Sequence, residues 1–243
     1  MTGVDLAAAR GNMLLDRLGN AELAELLAEA AEVELVLGAV LYQPGRRVEA
    51  VHFPLSGVIS LVTDLGEGDV VEAATVGDEG MSGISVYLGA GAPTERASVQ
   101  VAGRAVTLSA DAFGRAAAAV DGPLYATMRR YTQALFIQLV RNAGCNRVHT
   151  VRQRTARWLL TTQDRMHSPT FELTQHFLAQ MLAVRRASVS GEARSLAADG
   201  CITYVRGVLT VLDRAQLESY ACTCYQVVRD ATEQALHPPN RLR

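Results

Sequence analysis

Apolar residues from position 13 to 30 (MLLDRLGNAELAELLAEA) sit in a stretch rich in Leu, Ala and Glu, which predicts helix. From about Val33 to Leu108 the texture changes. Short apolar or alternating runs such as VHFPLSGVISLVTD, DVVEAATVGDEG and RASVQVAGRAVTLS are broken by glycine. Several short strands at this spacing predict an antiparallel sandwich or barrel. Helix returns at SADAFGRAAAAV, and Asp121-Gly122-Pro123 marks a break and restart, because proline suits the first turn of a helix. Beyond it Leu124, Met128, Tyr131 and Leu135 step by four, three and four, a coiled-coil seam that predicts a dimer interface along a long helix. The seam turns polar at Gln138 and Asn142, and Gly144-Cys145-Asn146 reads as a hinge.

A second helix is expected over HTVRQRTARWLLTTQDRM, followed by the stretch LTQHFLAQMLAVRRASVS from Leu173 to Ser190. Thr174 is a good N-cap, and Phe177, Leu178, Met181 and Leu182 form one apolar face. A further helix starts near Arg185 and is expected to bury Val189, Ala193 and Leu196, at i, i+4 and i+7. Two β-rich runs, Ile202–Tyr204 and Val208–Leu212, then flank Arg206-Gly207 as a hairpin with a basic tip. Two helices joined by a short turn and followed by a β-hairpin make a winged helix-turn-helix. A last helix is expected from about Arg214 to Leu236, and HPPNRLR as a loose tail.

Charge sharpens this picture. All 23 basic residues are arginine, and the formal net charge is −2. From Asn146 to Arg214 there are ten arginines against five acids, a local +5, so the rest of the chain carries −7. Charge segregated in this way suggests that one region meets a polyanion and the other does not. In a winged helix-turn-helix the start of the second helix enters the DNA major groove. Arg185, Arg186, Ser188 and Ser190 lie there, with Thr174 and Gln175 at the start of the first helix and Arg206 on the wing. Arginine pairs bidentately with guanine, while hydroxyls and helix N-termini hold phosphates.

Other chemistries find little support. There is no apolar run of about 18 residues, and MTGVDLAAARGN lacks a basic start followed by an apolar stretch, so no membrane association and a cytoplasmic location are expected. Cys145, Cys201, Cys222 and Cys224 read as free, reduced thiols, Cys222 and Cys224 being too close to pair easily on a helix, with no pattern of zinc-knuckle pairs. His52 alone in the strand-rich half cannot build a cupin-type metal centre, and GISVYLGAG has the spacing of neither a P-loop nor a dinucleotide fingerprint. No catalytic residues, metal or cofactor are expected.

The segments FPLSGVISLV, TVGDEGMSG, ERASVQV, LTQHFLAQMLAVRRASVS and YVRGVLTVLD, in this order, resemble the cyclic-AMP receptor protein/Fnr (Crp/Fnr) family of bacterial transcription regulators. The resemblance implies an α+β fold: an N-terminal cyclic-nucleotide-binding-like antiparallel β-roll (jelly roll), a long dimerisation helix and a C-terminal winged helix-turn-helix. The corresponding divisions are an N-terminal helical segment 1–30, a sensor β-roll 31–120, a dimerisation helix 121–145, a DNA-binding domain 146–214, and a C-terminal helix and tail 215–243. It also implies a homodimer on a palindromic operator in double-stranded DNA, with RNA polymerase as a partner; for the roll it leaves open an unidentified small-molecule effector or none. The alternative is a ligand-binding module of the same fold that has lost DNA recognition, a reading prompted by Gly191 and Glu192 in the second helix. Ala183 stands at the turn position where the family often has glycine.

Family pockets use a Gly-Glu step for the ribose hydroxyl and an Arg-Ser or Arg-Thr step for the phosphate. Here the corresponding residues are Glu79, within Asp78-Glu79-Gly80, and Arg96, followed by Ala97, so the phosphate-side hydroxyl is missing. Leu139 and Val140 replace the polar pair that would meet adenine, which argues against cyclic AMP as the effector. No cysteine precedes Cys145, which argues against an Fnr-type iron–sulfur cluster.

Overall fold

The computed structural model describes residues 4–66 and 70–236. The N-terminal helical stretch is three short helices, α1 (Leu6–Ala9), α2 (Met13–Asp16) and α3 (Asn20–Leu27). Asn12 causes the first break: its side chain caps α2 by accepting from the backbone of Leu14 and Leu15. Its amide nitrogen donates to the carbonyls of Pro54 and Gly80, each at 2.9 Å, and so ties the helices to the sheet.

The strand-rich region comprises β1 (Ala31–Leu35), β2 (Val40–Tyr42), β3 (Ala50–Asp64), β4 (Val70–Val76), a helical turn α4 (Ile84–Tyr87) and β5 (Arg96–Ser109). The sheet is antiparallel in the order β1-β5-β3-β4, with β2 also pairing with β5. Instead of many short strands, two long bent ones dominate. Gly57 and Gly103 sit inside them at a run of register shifts between Pro54 and Ile59. A Cβ on Gly57 would lie 2.7 Å from the Val101 carbonyl oxygen, and Gly57 has φ +87, so both space and backbone require glycine there.

Ser109 caps α5 (Ala110–Ala117), whose Phe113 packs on Phe53 at a ring-centroid distance of 5.9 Å in the core of the roll. The long helix α6 (Pro123–Val148) begins with proline as expected. It runs straight through Gly144-Cys145-Asn146, and the joint falls instead at His149, which takes up an extended backbone. Thr150 and Gln153 then form a capping box that starts α7 (Val151–Met166).

The expected intersubunit seam is corrected by the packing of α6. Leu124, Met128, Tyr131 and Leu135 are only 2%, 0%, 4% and 8% exposed and belong to the core of their own chain. Tyr131 donates to the Met81 carbonyl at 2.9 Å. Heptad spacing marks an apolar face and leaves open what covers it; here the sheet, α2 and the C-terminal helix around Leu236 do. Among the apolar residues that α6 leaves outside, Phe136 and Val140, 61% and 55% exposed, lie one helical turn apart, with Leu139 next to Val140 and Val148 at the helix end.

The C-terminal region contains β6 (Thr170–Glu172), α8 (Gln175–Met181), α9 (Arg186–Ala198), β7 (Ile202–Val205), β8 (Val208–Val211), α10 (Arg214–Tyr220) and α11 (Cys224–Leu236). Its small sheet has the order β6-β8-β7. The single last helix expected from the sequence is two, broken at Ala221-Cys222-Thr223, and the tail from 237 lies outside the described residues. A second apolar core built on Trp158, Leu159, Leu160, Phe171, Leu178 and Leu196 also takes in Val58, Val62 and Val101 from the large sheet. The two regions therefore share packing. An ion pair adds to it: buried Arg165 on α7 makes two contacts with Glu79, at 2.6 and 3.1 Å.

Candidate nucleic-acid interface

The helix-turn-helix forms as its apolar spacing requires. Thr174 accepts from the Phe177 backbone at 3.1 Å and starts α8, while Leu178, Ala179 and Met181 are buried. The turn passes through Ala183 at φ +48, a left-handed conformation that costs an L-residue about 1–2 kcal/mol. Arg185 is the N-cap of α9 and makes no capping hydrogen bond with its side chain. Val189, Ala193 and Leu196 are buried at the predicted spacing, and α9 continues without interruption through Gly191.

With that face buried, Arg185, Arg186 and Ser188 project into solvent at the first turn of α9. Among the described residues none of the three side chains has an ion-pair or hydrogen-bond partner. Two guanidinium groups, which can only donate, and a hydroxyl at a helix N-terminus form a donor-rich, positively charged surface, which favours anions. Ser190 differs: its hydroxyl donates to Gln175 Oε1 at 2.6 Å, so this pair ties α8 to α9. Arg206 and Gly207, at φ +50 and +83, form the two-residue turn of the β7–β8 hairpin, where right-handed strand twist favours positive φ at both positions. Arg206 is exposed at this tip.

The predicted residues thus fall into two groups. Arg185, Arg186 and Ser188 share an open face. Thr174 and Arg206 instead line a cleft of about 400 Å³ together with Leu37 and Gly38 of the β1–β2 turn and Val99 and Gln100 of β5.

The candidate effector pair is not assembled as expected. Glu79 is engaged by Arg165, which also donates to the Thr75 carbonyl at 2.9 Å. A cavity of about 330 Å³ touches Glu79, Asp78, Arg165, His167 and Tyr225, but Arg96 does not line it. The carboxylate expected to meet a ribose hydroxyl instead binds a guanidinium supplied by α7. No motif spacing could signal this, because Arg165 lies 86 residues away.

The sequence reading also missed one constellation. Cys145, His149, Cys222 and Cys224 place their donor atoms within 4.8 Å of one another. All four cysteines are free thiols, as expected, but three of them gather beside His149, while Cys201 belongs to the second apolar core. The break between α10 and α11 is what turns Cys222 and Cys224 toward α6. Cys145 and His149, four residues apart, share one face at the end of that helix. Cys145 and Cys222 sulfurs lie 3.5 Å apart. Their hydrogen bond holds the Cys222 thiol below its ordinary range and pushes the Cys145 thiol up. The Arg157 guanidinium nearby also favours thiolate.

Residues 153–220 match the model of the Crp-like helix-turn-helix domain. No match was found among curated proteins. Among solved structures the chain is similar to FixK2 from Bradyrhizobium japonicum, with a TM-score of 0.64 and 15% identity over 79% of this chain and 98% of that one. A transcriptional regulator of the CRP family from Thermus thermophilus gives 0.64 and 20% identity, covering 78% and 96%. The c-di-GMP-responsive global regulator CLP from Xanthomonas campestris gives 0.63 and 13%, covering 80% and 100%. At these identities the likeness is one of fold. The chain has the α+β fold of Crp/Fnr transcriptional regulators and carries a Crp-like helix-turn-helix domain. Among the described residues no helix is long and apolar enough to cross a membrane.

Proposed function

We propose that the chain is a sequence-specific DNA-binding transcription regulator that acts as a homodimer on a palindromic operator. The observation that carries this reading is the first turn of α9, where Arg185, Arg186 and Ser188 are exposed and unpaired among the described residues while Val189, Ala193 and Leu196 anchor the helix from behind. In a helix-turn-helix this turn is the one that meets base edges. Arg186 reads a guanine, Arg185 and Ser188 share base and phosphate contacts, and Thr174 presents the start of α8 to a phosphate. Gln175 and Ser190 keep α8 and α9 in register through their mutual hydrogen bond. Arg206 holds a phosphate from the wing. The second copy docks through the outer face of α6 around Phe136 and Val140, which the chain itself leaves uncovered.

The test is operator selection from random DNA, followed by titrations of Arg186→Ala and Arg206→Ala on the selected operator and on scrambled DNA at several salt concentrations. Arg186→Ala is expected to cost about 1–3 kcal/mol per half-site and to relax preference at one symmetric base pair. Arg206→Ala is expected to weaken all sequences alike and to reduce the salt slope by about 1. Failure to select any sequence over scrambled DNA would overturn the reading.

A further inference from the structure

We propose that Cys145, His149, Cys222 and Cys224 bind a single Zn²⁺ in a closed tetrahedral Cys₃His site that fastens the α6–α7 joint to the α10–α11 turn. The donors come from two places 77 residues apart in sequence. Cys145 and His149 lie on the last turn of α6 and its C-cap; Cys222 and Cys224 bracket the start of α11.

Distance selects the kind of ligand. Zinc–thiolate bonds of about 2.3 Å at tetrahedral angles place neighbouring donors about 3.8 Å apart. Here Cys145 and Cys222 sulfurs are 3.5 Å apart, Cys224 sulfur is 3.8 Å from His149 Nδ1, and all four donors lie within 4.8 Å of one another. A disulfide needs sulfurs at about 2.05 Å. A cubane cluster would place each thiolate on a different iron, with inorganic sulfide between them, and needs a wider set of donors. Three soft thiolates and an imidazole also disfavour Mg²⁺ or Ca²⁺, which prefer oxygen.

Burial and charge agree with this assignment. Cys145, Cys222 and Cys224 are 1%, 4% and 4% exposed and form a cluster separate from both apolar cores. Three bound thiolates, a neutral imidazole and Zn²⁺ leave one negative charge in a buried place. Arg154 and Arg157 of α7 supply compensation: each has a buried Nε without a hydrogen-bond partner. Arg157 is positioned by Asn142 Oδ1 at 2.7 Å. On binding, the ion stays Zn²⁺, no electron is transferred, and each proton that leaves a thiol goes to solvent.

The site has a route to the helix-turn-helix. Arg154, whose guanidinium lies within electrostatic reach of Cys145 and Cys222, also donates to the Leu182 carbonyl at the C-cap of α8. Zinc would therefore set both the angle at the α6–α7 joint and the support beneath the turn that leads to Arg185. This consequence rests on the DNA-binding reading; the metal site does not.

The full-length protein, purified under reducing conditions, is expected to carry one zinc per chain by elemental analysis. Replacement by Co²⁺ should give sulfur-to-cobalt charge-transfer absorption and the intense ligand-field bands of a tetrahedral site. Cys222→Ser and Cys145→Ala should each lose the metal and the cobalt spectrum, whereas Cys201→Ser should keep both. The unmodified protein's cobalt spectrum decides the matter even if a variant fails to fold. Folded, reduced protein that takes up neither Zn²⁺ nor Co²⁺ would overturn the proposal, as would iron with acid-labile sulfide or a native Cys145–Cys222 disulfide. Operator selection with the same preparation separates the two readings. Metal without operator binding removes the DNA-binding reading alone, and operator binding without metal removes the site alone.

Discussion

Glu72 on β4 is buried where the large sheet meets α8, and replacing it with glutamine should reshape the pH dependence of folding. Its carboxyl lies 2.6 Å from Ser60 Oγ, which is also 3.6 Å from Met181 Sδ of α8. Burial drives its pKa from 4.5 up to about 7; the Ser60 hydrogen bond and the charges of Arg157 and Arg165 offset only part of that. An unfolded chain loses this proton near pH 4.5, the folded one near pH 7. Between those values the unfolded state binds fewer protons, so stability contributed by the neutral carboxyl is fully present below about pH 4.5 and lost as pH rises through 7. The loss amounts to about 3 kcal/mol. Glu72→Gln keeps the shape and cannot ionise. Urea unfolding of both proteins from pH 4.5 to 8 should show the variant gaining on the wild type across this window by up to about that amount. His52, whose pKa burial lowers to about 4, titrates in both proteins and cancels in the difference. Parallel stability curves would refute the argument, because they would mean that Glu72 ionises as readily in the folded chain as in the unfolded one.

Two further expectations concern stability and assembly. Ala183→Gly should stabilise the chain by about 0.5–1 kcal/mol in denaturant unfolding, because relief of the φ +48 strain exceeds the extra backbone entropy of unfolded glycine; a net loss would mean that the turn is not strained. Phe136→Glu should convert a dimer near twice 26.1 kDa to monomer in sedimentation without lowering stability. Leu135→Glu should instead unfold the chain, since Leu135 is buried in its own core. A Phe136→Glu protein that remains dimeric would exclude this face of α6.

Periodicity made the helix-turn-helix and the β7–β8 hairpin readable because the constraints that define them are local. Thr174 caps its own helix, Val189, Ala193 and Leu196 recur at helical spacing, and Arg206-Gly207 closes its own hairpin. The errors arose where partners are distant. The register shifts at Gly57 and Gly103 depend on partners across the sheet that are not adjacent in sequence. Leu124, Met128, Tyr131 and Leu135 were correctly apolar, but their covering surface could not be read from spacing. Cys145 and His149 do show i, i+4 spacing, and Cys222 and Cys224 a Cys-x-Cys step. Only the break between α10 and α11 brings the pairs together, and it was read as continuous helix.

The cleft shared by Thr174 and Arg206 with Leu37, Gly38, Val99 and Gln100 carries a thermodynamic consequence. On the DNA-binding reading, a phosphate backbone that reaches both residues must enter this cleft between the wing and the roll. The apparent operator affinity is then the intrinsic affinity scaled by the fraction of molecules whose cleft is open enough to admit it. Residues that never touch DNA, such as Leu37, thereby enter the operator equilibrium, and each 1.4 kcal/mol favouring a narrower cleft lowers it about tenfold. Linkage makes the relation reciprocal: whatever binds the sheet side and favours the closed arrangement is itself displaced by the operator, by the same factor.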